Sequence, residues 1–234
     1  MKKILLISLV IFLFLVELIA VKKDKEDIVR LPKVNKKSEL SIEEVLENRR
    51  SRRNFSSKPL QTSDISQILW AAYGVTKKID KGPSFLRGGL RTAPSAGALY
   101  PLKIYIVIKK AKTLNPGIYA YDSEHHLLRL ISIGNFLDDL ADHAFGQDWI
   151  GNASACLVYS AVFERTTDKY GKRGRDRYVC MDLGHSAQNV YLQCEALGLA
   201  TCAVGSFNDS AIKKTIKMSK RETPLYLMPL GYKK

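Results

Sequence analysis

The chain has few of the patterns that mark common nucleotide and metal sites. Its only cysteines are Cys156, Cys180, Cys194 and Cys202, and no two of them form a Cys-x-x-Cys pair, which argues against a zinc site. All four stand in apolar stretches, as small buried side chains do, although an exported chain could pair two of them in a disulfide. No Gly-x-Gly-x-x-Gly run or P-loop occurs, so neither a Rossmann nor a P-loop nucleotide site is expected.

Acidic residues are scarce relative to basic ones. The chain has 23 aspartates and glutamates against 37 lysines and arginines, which gives a net charge of +14. Such an excess can serve nucleic acid, an anionic membrane surface or an anionic ligand. The basic residues are scattered in short groups, and no helix shows a basic face interleaved with aromatic residues. We therefore interpret most of the excess as general surface charge and expect no nucleic-acid partner.

The sequence has one long apolar run, at residues 4–20, and this run contains a single charged residue, Glu17. Its length fits the hydrophobic region of a signal peptide or a short membrane anchor. Ala20 suits a cleavage site but Leu18 does not, and lysines flank the run on both sides, so cleavage and orientation stay open. We predict a signal peptide or membrane anchor over residues 1–20, a charged linker over 21–40, and an exported or membrane-anchored protein.

From residue 41 onward the apolar pattern indicates one domain. Ser41 and Glu44 have the spacing of a capping box at the start of a helix. Further helices are predicted at 63–73, 136–145, 178–197 and 209–216, and strands at 103–108, 118–121, 127–131, 155–163, 201–204 and 225–230. Helices that alternate with a few hairpin-like strands indicate an α+β fold.

Two short segments carry the residues best suited to a ligand. RRSRRNF, at 49–55, brings together four arginines and a serine, and the forked guanidinium group suits phosphate. The turn at 94–98, Pro-Ser-Ala-Gly-Ala, consists of small residues just before an apolar strand. Glycines such as Gly97 and Gly205 allow the backbone to approach a flat ligand closely. Together these segments predict a site for a flat, phosphorylated molecule.

These segments and their neighbours resemble the nitroreductase family, with details that favour its SagB-type dehydrogenase branch. The matching segments occur in family order from about residue 41 to 232: RRSRRNF (49–55), WAAYG (70–74), RTAPSAGALYPLKIYIV (91–107), PGIYAYD (116–122), the stretch 169–199, TCAVGSFND (201–209) and LMPLGY (227–232). The resemblance implies a central, mostly antiparallel sheet flanked by helices, preceded here by an N-terminal apolar helix. It also implies a flavin mononucleotide (FMN) cofactor and a homodimer. The helix at 178–197 is expected to be apolar on more than one face, which predicts it as the dimer core.

The resemblance assigns roles to particular positions. The arginine segment would bind the flavin, the small-residue turn would line it across the dimer interface, Gly205 and its neighbours would approach the hydride-accepting nitrogen, and Lys233 would complete the phosphate site. The cofactor-binding residues implied in this way are Arg49, Arg50, Ser51, Arg53, Pro94, Ser95, Ala96, Gly97, Val204, Gly205, Ser206 and Lys233.

Lys169 and Tyr170 fall where SagB-type azoline oxidases carry a Lys-Tyr pair that assists proton removal. A lysine or tyrosine can act as such a base when its pKa is depressed. The alternative interpretation is a solvated lysine beside a packing tyrosine, followed by a basic surface loop at 172–177. The resemblance favours these two residues as the catalytic pair.

The sequence therefore predicts an FMN-dependent oxidoreductase that transfers hydride to or from a small-molecule or peptide-derived substrate. An NAD(P)H-dependent reductase of nitro compounds or quinones is the alternative chemistry within the family. A protein that keeps the flavin fold without turnover, and a basic protein that binds a membrane surface, are the alternatives outside it.

Overall fold

The computed structural model describes residues 28–234. The strands are β1 (Ile28–Arg30), β2 (Val75–Lys78), β3 (Gly89–Arg91), β4 (Leu102–Ile108), β5 (Gly117–Asp122), β6 (Leu127–Ile133), β7 (Ala155–Val162), β8 (Leu199–Thr201) and β9 (Glu222–Tyr232). The α-helices are α1 (Ile42–Asn48), α2 (Thr62–Tyr73), α3 (Leu137–His143), α4 (Glu164–Arg173), α5 (Val179–Ala196) and α6 (Asp209–Ile216).

Seven strands form one sheet in the order β1-β6-β5-β4-β7-β9-β8, and β2 pairs with β3 in a separate hairpin. Every pairing of named strands is antiparallel. The predicted α+β architecture with an antiparallel sheet flanked by helices is therefore confirmed.

The sheet separates two hydrophobic cores. Along β4, Ile104, Ile106 and Ile108 face the core that α2 and α5 cover, whereas Tyr105 and Val107 face the core that α3 and α6 cover. This alternation follows from the two-residue period of a strand. With helices on both faces, β7 is buried along its whole length, which explains why it reads as a continuous apolar run.

Several local expectations are met and others are corrected. The capping box is present, because Ser41 Oγ accepts from the Glu44 amide at 3.1 Å and Glu44 Oε2 accepts from the Ser41 amide at 2.7 Å.

All four cysteines are free, and Cys180, unlike the other three, is exposed on α5 rather than buried. Residues 28–30, inside the predicted linker, form β1 and pair with β6. The predicted basic loop at 172–177 is instead the end of α4 and a π-helical turn at 174–178.

The signal peptide or membrane anchor predicted over residues 1–20, with its apolar helix, lies outside the described part of the chain. Within residues 28–234, no helix combines the length and the hydropathy needed to span a bilayer.

A buried carboxylate at the start of β9 is hydrogen-bonded to side chains of β4 and β7. Glu222, which is 1% exposed, accepts hydrogen bonds from Lys103 Nζ at 2.8 Å, Tyr105 Oη at 2.6 Å and Ser160 Oγ at 2.9 Å. Burial alone would raise the pKa of this carboxyl, but the hydrogen bonds from Lys103, Tyr105 and the Ser219 amide outweigh it and lower the pKa to about 2. Glu222 is therefore held in its charged form.

A depressed carboxyl pKa stabilises the fold above the ordinary glutamate pKa, and this stability is lost as the pH falls toward 2. Glu222→Gln should lower the free energy of unfolding near pH 7 by roughly 3 kcal/mol and should flatten the loss of stability between about pH 5 and pH 2. Urea denaturation across that pH range measures both effects. Glu47→Gln, at an exposed position of α1, is the control, and an equal acid dependence in both variants would contradict the assignment.

Candidate active site

The arginine segment follows α1 and runs past β8 and the end of β9. The Arg49 amide donates to Val45 O and ends the helix, because the backbone of Arg49 leaves the helical region. The Arg52 amide then donates to Thr201 O of β8 at 2.9 Å. Phe55 forms a β-bridge with Lys233. The segment is thus fixed between helix and sheet, with its side chains at the surface.

Tyr191 of α5 holds this segment in place. Its hydroxyl lies 3.1 Å from Ser51 Oγ and accepts from the Ala203 amide at 2.7 Å. The Arg49 guanidinium stands 5.4 Å from the centre of the Tyr191 ring. One side chain therefore brings the start of the arginine segment next to the chain that leads into Val204 and Gly205.

The cations of this region fall into two groups. Arg52 and Lys233 both pair with Glu195, which is 9% exposed. Arg49, Arg50 and Arg53 have no carboxylate within ion-pair distance among residues 28–234. The Arg50 guanidinium donates to the carbonyls of Glu47 and Arg49, and that of Arg53 lies 5.5 Å from the centre of the Trp149 ring. Three guanidinium groups are thus left without a counter-charge.

The small-residue turn is attached to the other part of α5. Asp182 accepts from Ser95 Oγ at 2.5 Å and from the Ala96 amide at 3.2 Å, and Ser95 Oγ also accepts from the Tyr100 amide at 2.9 Å. Burial raises the pKa of the Asp182 carboxyl, while these two hydrogen bonds oppose the rise. A buried acid on the helix therefore fixes the backbone of the turn.

Gly97 brings the turn against the predicted catalytic pair. It has a φ of +60°, a left-handed conformation that favours glycine. A Cβ at this position would lie 2.7 Å from Tyr170 Oη and 3.4 Å from Lys169 Nζ. The Tyr170 ring packs edge-on against Tyr178, with 5.0 Å between centroids. Lys169 is exposed and Tyr170 half-buried, so both are accessible from solvent beside the turn.

Val204, Gly205 and Ser206 lie on the side of the arginine segment. Val204 exchanges two backbone hydrogen bonds with Leu227 of β9, at 2.8 and 3.0 Å. Gly205 is exposed, and a Cβ on it would lie 3.3 Å from the Tyr226 ring. The structure thus groups these residues with Arg49 and Ser51 through Ala203 and Tyr191.

The predicted site residues therefore form two groups, which we call the arginine side (Arg49–Arg53, Val204–Ser206 and Lys233) and the turn side (Pro94–Gly97, Lys169 and Tyr170). Asp182 and Tyr191 are nine residues apart on α5, which corresponds to about 13 Å along the axis and half a turn around it. They flank the buried face of the helix, formed by Leu183, Val190 and Cys194. Within one chain the two groups are thus attached to opposite flanks of α5.

The opposite face of α5 is exposed over Met181, Gly184, His185 and Gln188. Its large apolar side chains are Met181, which is 54% exposed, and Leu192, which lies further along the same stripe and is half-buried. The rest of this face is polar or small, so it is less apolar than expected, and the dimer core stays a prediction.

Comparison with known proteins finds relatives that cover most of the chain. The Nitroreductase family model matches residues 46–232. A candidate nitroreductase of Methanocaldococcus jannaschii is 42% identical over 205 residues, covering 88% of this chain and 96% of that protein. The Microcin B17-processing protein McbC of Escherichia coli is 28% identical over 147 residues, covering 60% of this chain and 54% of that protein. A candidate nitroreductase structure from Ralstonia eutropha JMP134 has a TM-score of 0.74 and 28% identity, covering 89% of this chain and 90% of that chain.

The chain belongs to the nitroreductase family and is an oxidoreductase of that family. The similarity to McbC supports its SagB-type branch.

Sequence reasoning missed the residues that position the site. Asp182, Tyr191 and Glu195 occupy ordinary positions in a long helix, and Arg52 was passed over within the arginine segment. A single polar residue in a helix gives no signal of which distant loop it binds. The one available hint is that Asp182 interrupts the apolar face of α5, where an uncompensated charge would be costly.

Proposed function

We propose that this protein is an FMN-dependent oxidoreductase of the SagB-type branch, which transfers two electrons as hydride between an organic substrate and the flavin. The observation that carries the proposal is the set of three guanidinium groups without a counter-charge, Arg49, Arg50 and Arg53, in the same group of residues as Gly205. Their chemistry fits a phosphorylated, flat cofactor.

The donor set matches what FMN requires. The phosphate would be held by Arg49, Arg50 and the Ser51 hydroxyl, which supply charge-assisted hydrogen bonds. Lys233 is already paired with Glu195, so its charge is partly compensated and its share in phosphate binding is smaller. Arg53 would stabilise negative charge on the ring. When bound, FMN supplies reversible hydride chemistry, for which the protein provides binding, orientation and electrostatics.

The two groups of residues support a site built from two chains. Tyr191 holds the arginine side and Asp182 holds the turn side, on opposite flanks of α5. In a homodimer with a two-fold axis, the same surface of each chain meets its counterpart. The turn of one chain could then line the flavin held by the arginines of its partner.

The Lys-Tyr pair supports the dehydrogenase chemistry. Lys169 and Tyr170 stand beside Gly97, where they could take a proton from one substrate atom as hydride leaves the adjacent carbon for the flavin. A peptide-derived substrate is favoured by the likeness to McbC, which is named as a protein that processes microcin B17. The likeness to the Methanocaldococcus jannaschii protein, named as a candidate nitroreductase, favours NAD(P)H-dependent reduction as the second candidate.

Removing the phosphate cations should abolish stable FMN binding. The double variant Arg49→Ala and Arg50→Ala should bind FMN at least about 100-fold more weakly, because each charge-assisted contact contributes roughly 1.5–3 kcal/mol. Flavin fluorescence titration measures the affinity. The control is the double variant Lys77→Ala and Lys78→Ala, which removes two exposed cations from β2. Wild-type affinity in the arginine variant would contradict the site.

Mixing two defective chains should restore flavin binding if each site spans two chains. The double variant Arg49→Ala and Arg50→Ala, and the variant Gly97→Val, should each fail to hold FMN as homodimers. After dissociation and random reassociation, about half of the dimers are mixed, and each has one intact site, so about a quarter of the wild-type FMN content should return. Absorbance of the reassociated protein measures it. No recovery from chains that remain folded and dimeric would place the site within one chain.

Lys169→Ala should impair turnover without affecting flavin binding. Flavin reduction by an azoline-containing peptide should slow by about 10²- to 10⁴-fold, which is typical of a lost general base. Reduction by NADPH should be nearly unchanged, because hydride transfer from nicotinamide needs no proton removal. Stopped-flow absorbance follows both reactions, with Lys172→Ala, also exposed on α4, as the control. Wild-type rates with the peptide would show that the pair is structural.

A further inference from the structure

A second group of arginines lies close to the small-residue turn, in a separate cavity. Arg87, Arg91 and Arg165 line a cavity of about 230 Å³ between the β2–β3 hairpin, β4 and α4. Arg87 and Arg165 also line an adjoining cavity of about 480 Å³. None of these three residues belongs to the flavin site proposed above, and the proposed mechanism does not use them.

The three guanidinium groups are bound by neutral groups. Arg87 donates to Leu99 O at 2.6 Å and to Phe85 O at 2.6 Å. Arg91 donates to Tyr73 O at 3.0 Å and to Arg87 O at 2.9 Å, and Arg165 donates to Tyr100 O at 3.3 Å. Arg91 also donates to Ser123 Oγ and lies against the rings of Tyr73 and Tyr100. These neutral partners satisfy some of the donors but supply no negative charge.

The acidic groups that line the cavities are engaged elsewhere or lie at the rim. Asp122 pairs with Arg129 and His125, and Glu222 pairs with Lys103. Glu124 and Asp168 are exposed. In the part of the chain from residue 28 onward, no carboxylate comes within ion-pair distance of the three arginines.

Holding these charges together is unfavourable without a ligand. Burial, and then repulsion from Arg165, lower the pKa of Arg87 to about 10. Burial likewise lowers the pKa of Arg91 and of Arg165. The Arg91 Nε atom is buried and has no hydrogen-bond partner within the described residues. An anion in the cavity would relieve the repulsion between these charges.

Three residues around the cavity have strained backbone angles. Arg87, Ala98 and Tyr100 all have positive φ, at +44°, +53° and +46°, although none is a glycine. Such residues cost of order 1–3 kcal/mol each and cluster at binding sites. The strained positions include an arginine of the cavity, a tyrosine that lines it, and the turn beside Gly97.

We propose that this arginine cavity binds a carboxylate or phosphate group of the molecule that reacts at the flavin. Arg165 and Lys169 are four residues apart on α4, so they lie on one face of the helix. Arg87 also bonds to Leu99, two residues beyond Gly97. An oxyanion held here would place the rest of an acidic ligand next to the Lys-Tyr pair. The assignment of this ligand as a substrate rests on the proposed function, whereas its binding does not.

The test is a calorimetric titration of the full-length protein with three probes. They are tetraglutamate acetylated at its N-terminus and amidated at its C-terminus, its tetraglutamine analogue capped in the same way, and 2′,5′-ADP as the phosphate-bearing part of NADPH. Tetraglutamate should bind and tetraglutamine should not. Arg165→Gln should weaken binding by about 10- to 100-fold, as expected for a lost charge-assisted contact. Arg173→Gln, which removes an exposed cation from the same helix, should change it less than about two-fold. Arg91→Lys, which keeps the charge but loses the fork, should also weaken binding.

The probes distinguish the source of the anion. Arg165-dependent binding of 2′,5′-ADP without binding of tetraglutamate would support the oxyanion site and assign it to a nucleotide. Equal binding of tetraglutamate and tetraglutamine, or equal losses in Arg165→Gln and Arg173→Gln, would overturn the proposal. FMN content, read from absorbance, should be the same in the Arg165→Gln variant and wild type. A protein that lacks flavin yet shows Arg165-dependent binding would therefore reject the proposed function but not the cavity.

Discussion

The arrangement of the candidate site depends on helix α5 being fixed along one face. Leu183, Val190 and Cys194 bury that face against α2 and the sheet, so the rotation of the helix about its axis is set by packing. Asp182 and Tyr191 then project from its two flanks, and each binds backbone from a distant segment. The orientation of this helix therefore helps to set the position of both segments, although the chain after Ala203 is also held by the bridge between Val204 and Leu227.

The same constraint explains why one chain holds two separate groups of functional residues. Half a turn around a helix separates Asp182 from Tyr191, and the packed core lies between their attachments. Local rearrangement of the loops cannot bring the groups together without breaking the hydrogen bonds from Ser95 and Ala203. This separation supports the proposed dimer, in which a second molecule would complete a site that uses both groups.

The sequence predicted the elements whose burial imposes a period or a continuous apolar run. Strand β7 and helix α5 were predicted to within one or two residues because the core dictates their composition. The β2–β3 hairpin was missed, since Val75–Lys78 carries mostly polar, exposed residues. Helix α4 was not predicted, and its end was interpreted as part of a basic loop at 172–177, because charged residues dominate it and Gly171 interrupts it with non-helical angles. The arginine and turn segments were recognised by family resemblance, but the side chains that hold them were not, because their partners are distant in sequence.

The two arginine groups differ in hydration, and this difference suits different ligands. Arg50 and Arg53 are exposed, so water compensates their charges before a ligand arrives, and binding must displace that water. Arg87, Arg91 and Arg165 are half-buried and face one another, so water compensates them less well and an anion gains more per contact. Screening by salt should also act more strongly on the exposed group than on the half-buried one. Anions at the two sites should therefore respond differently to ionic strength, even though both sites use the same side-chain chemistry.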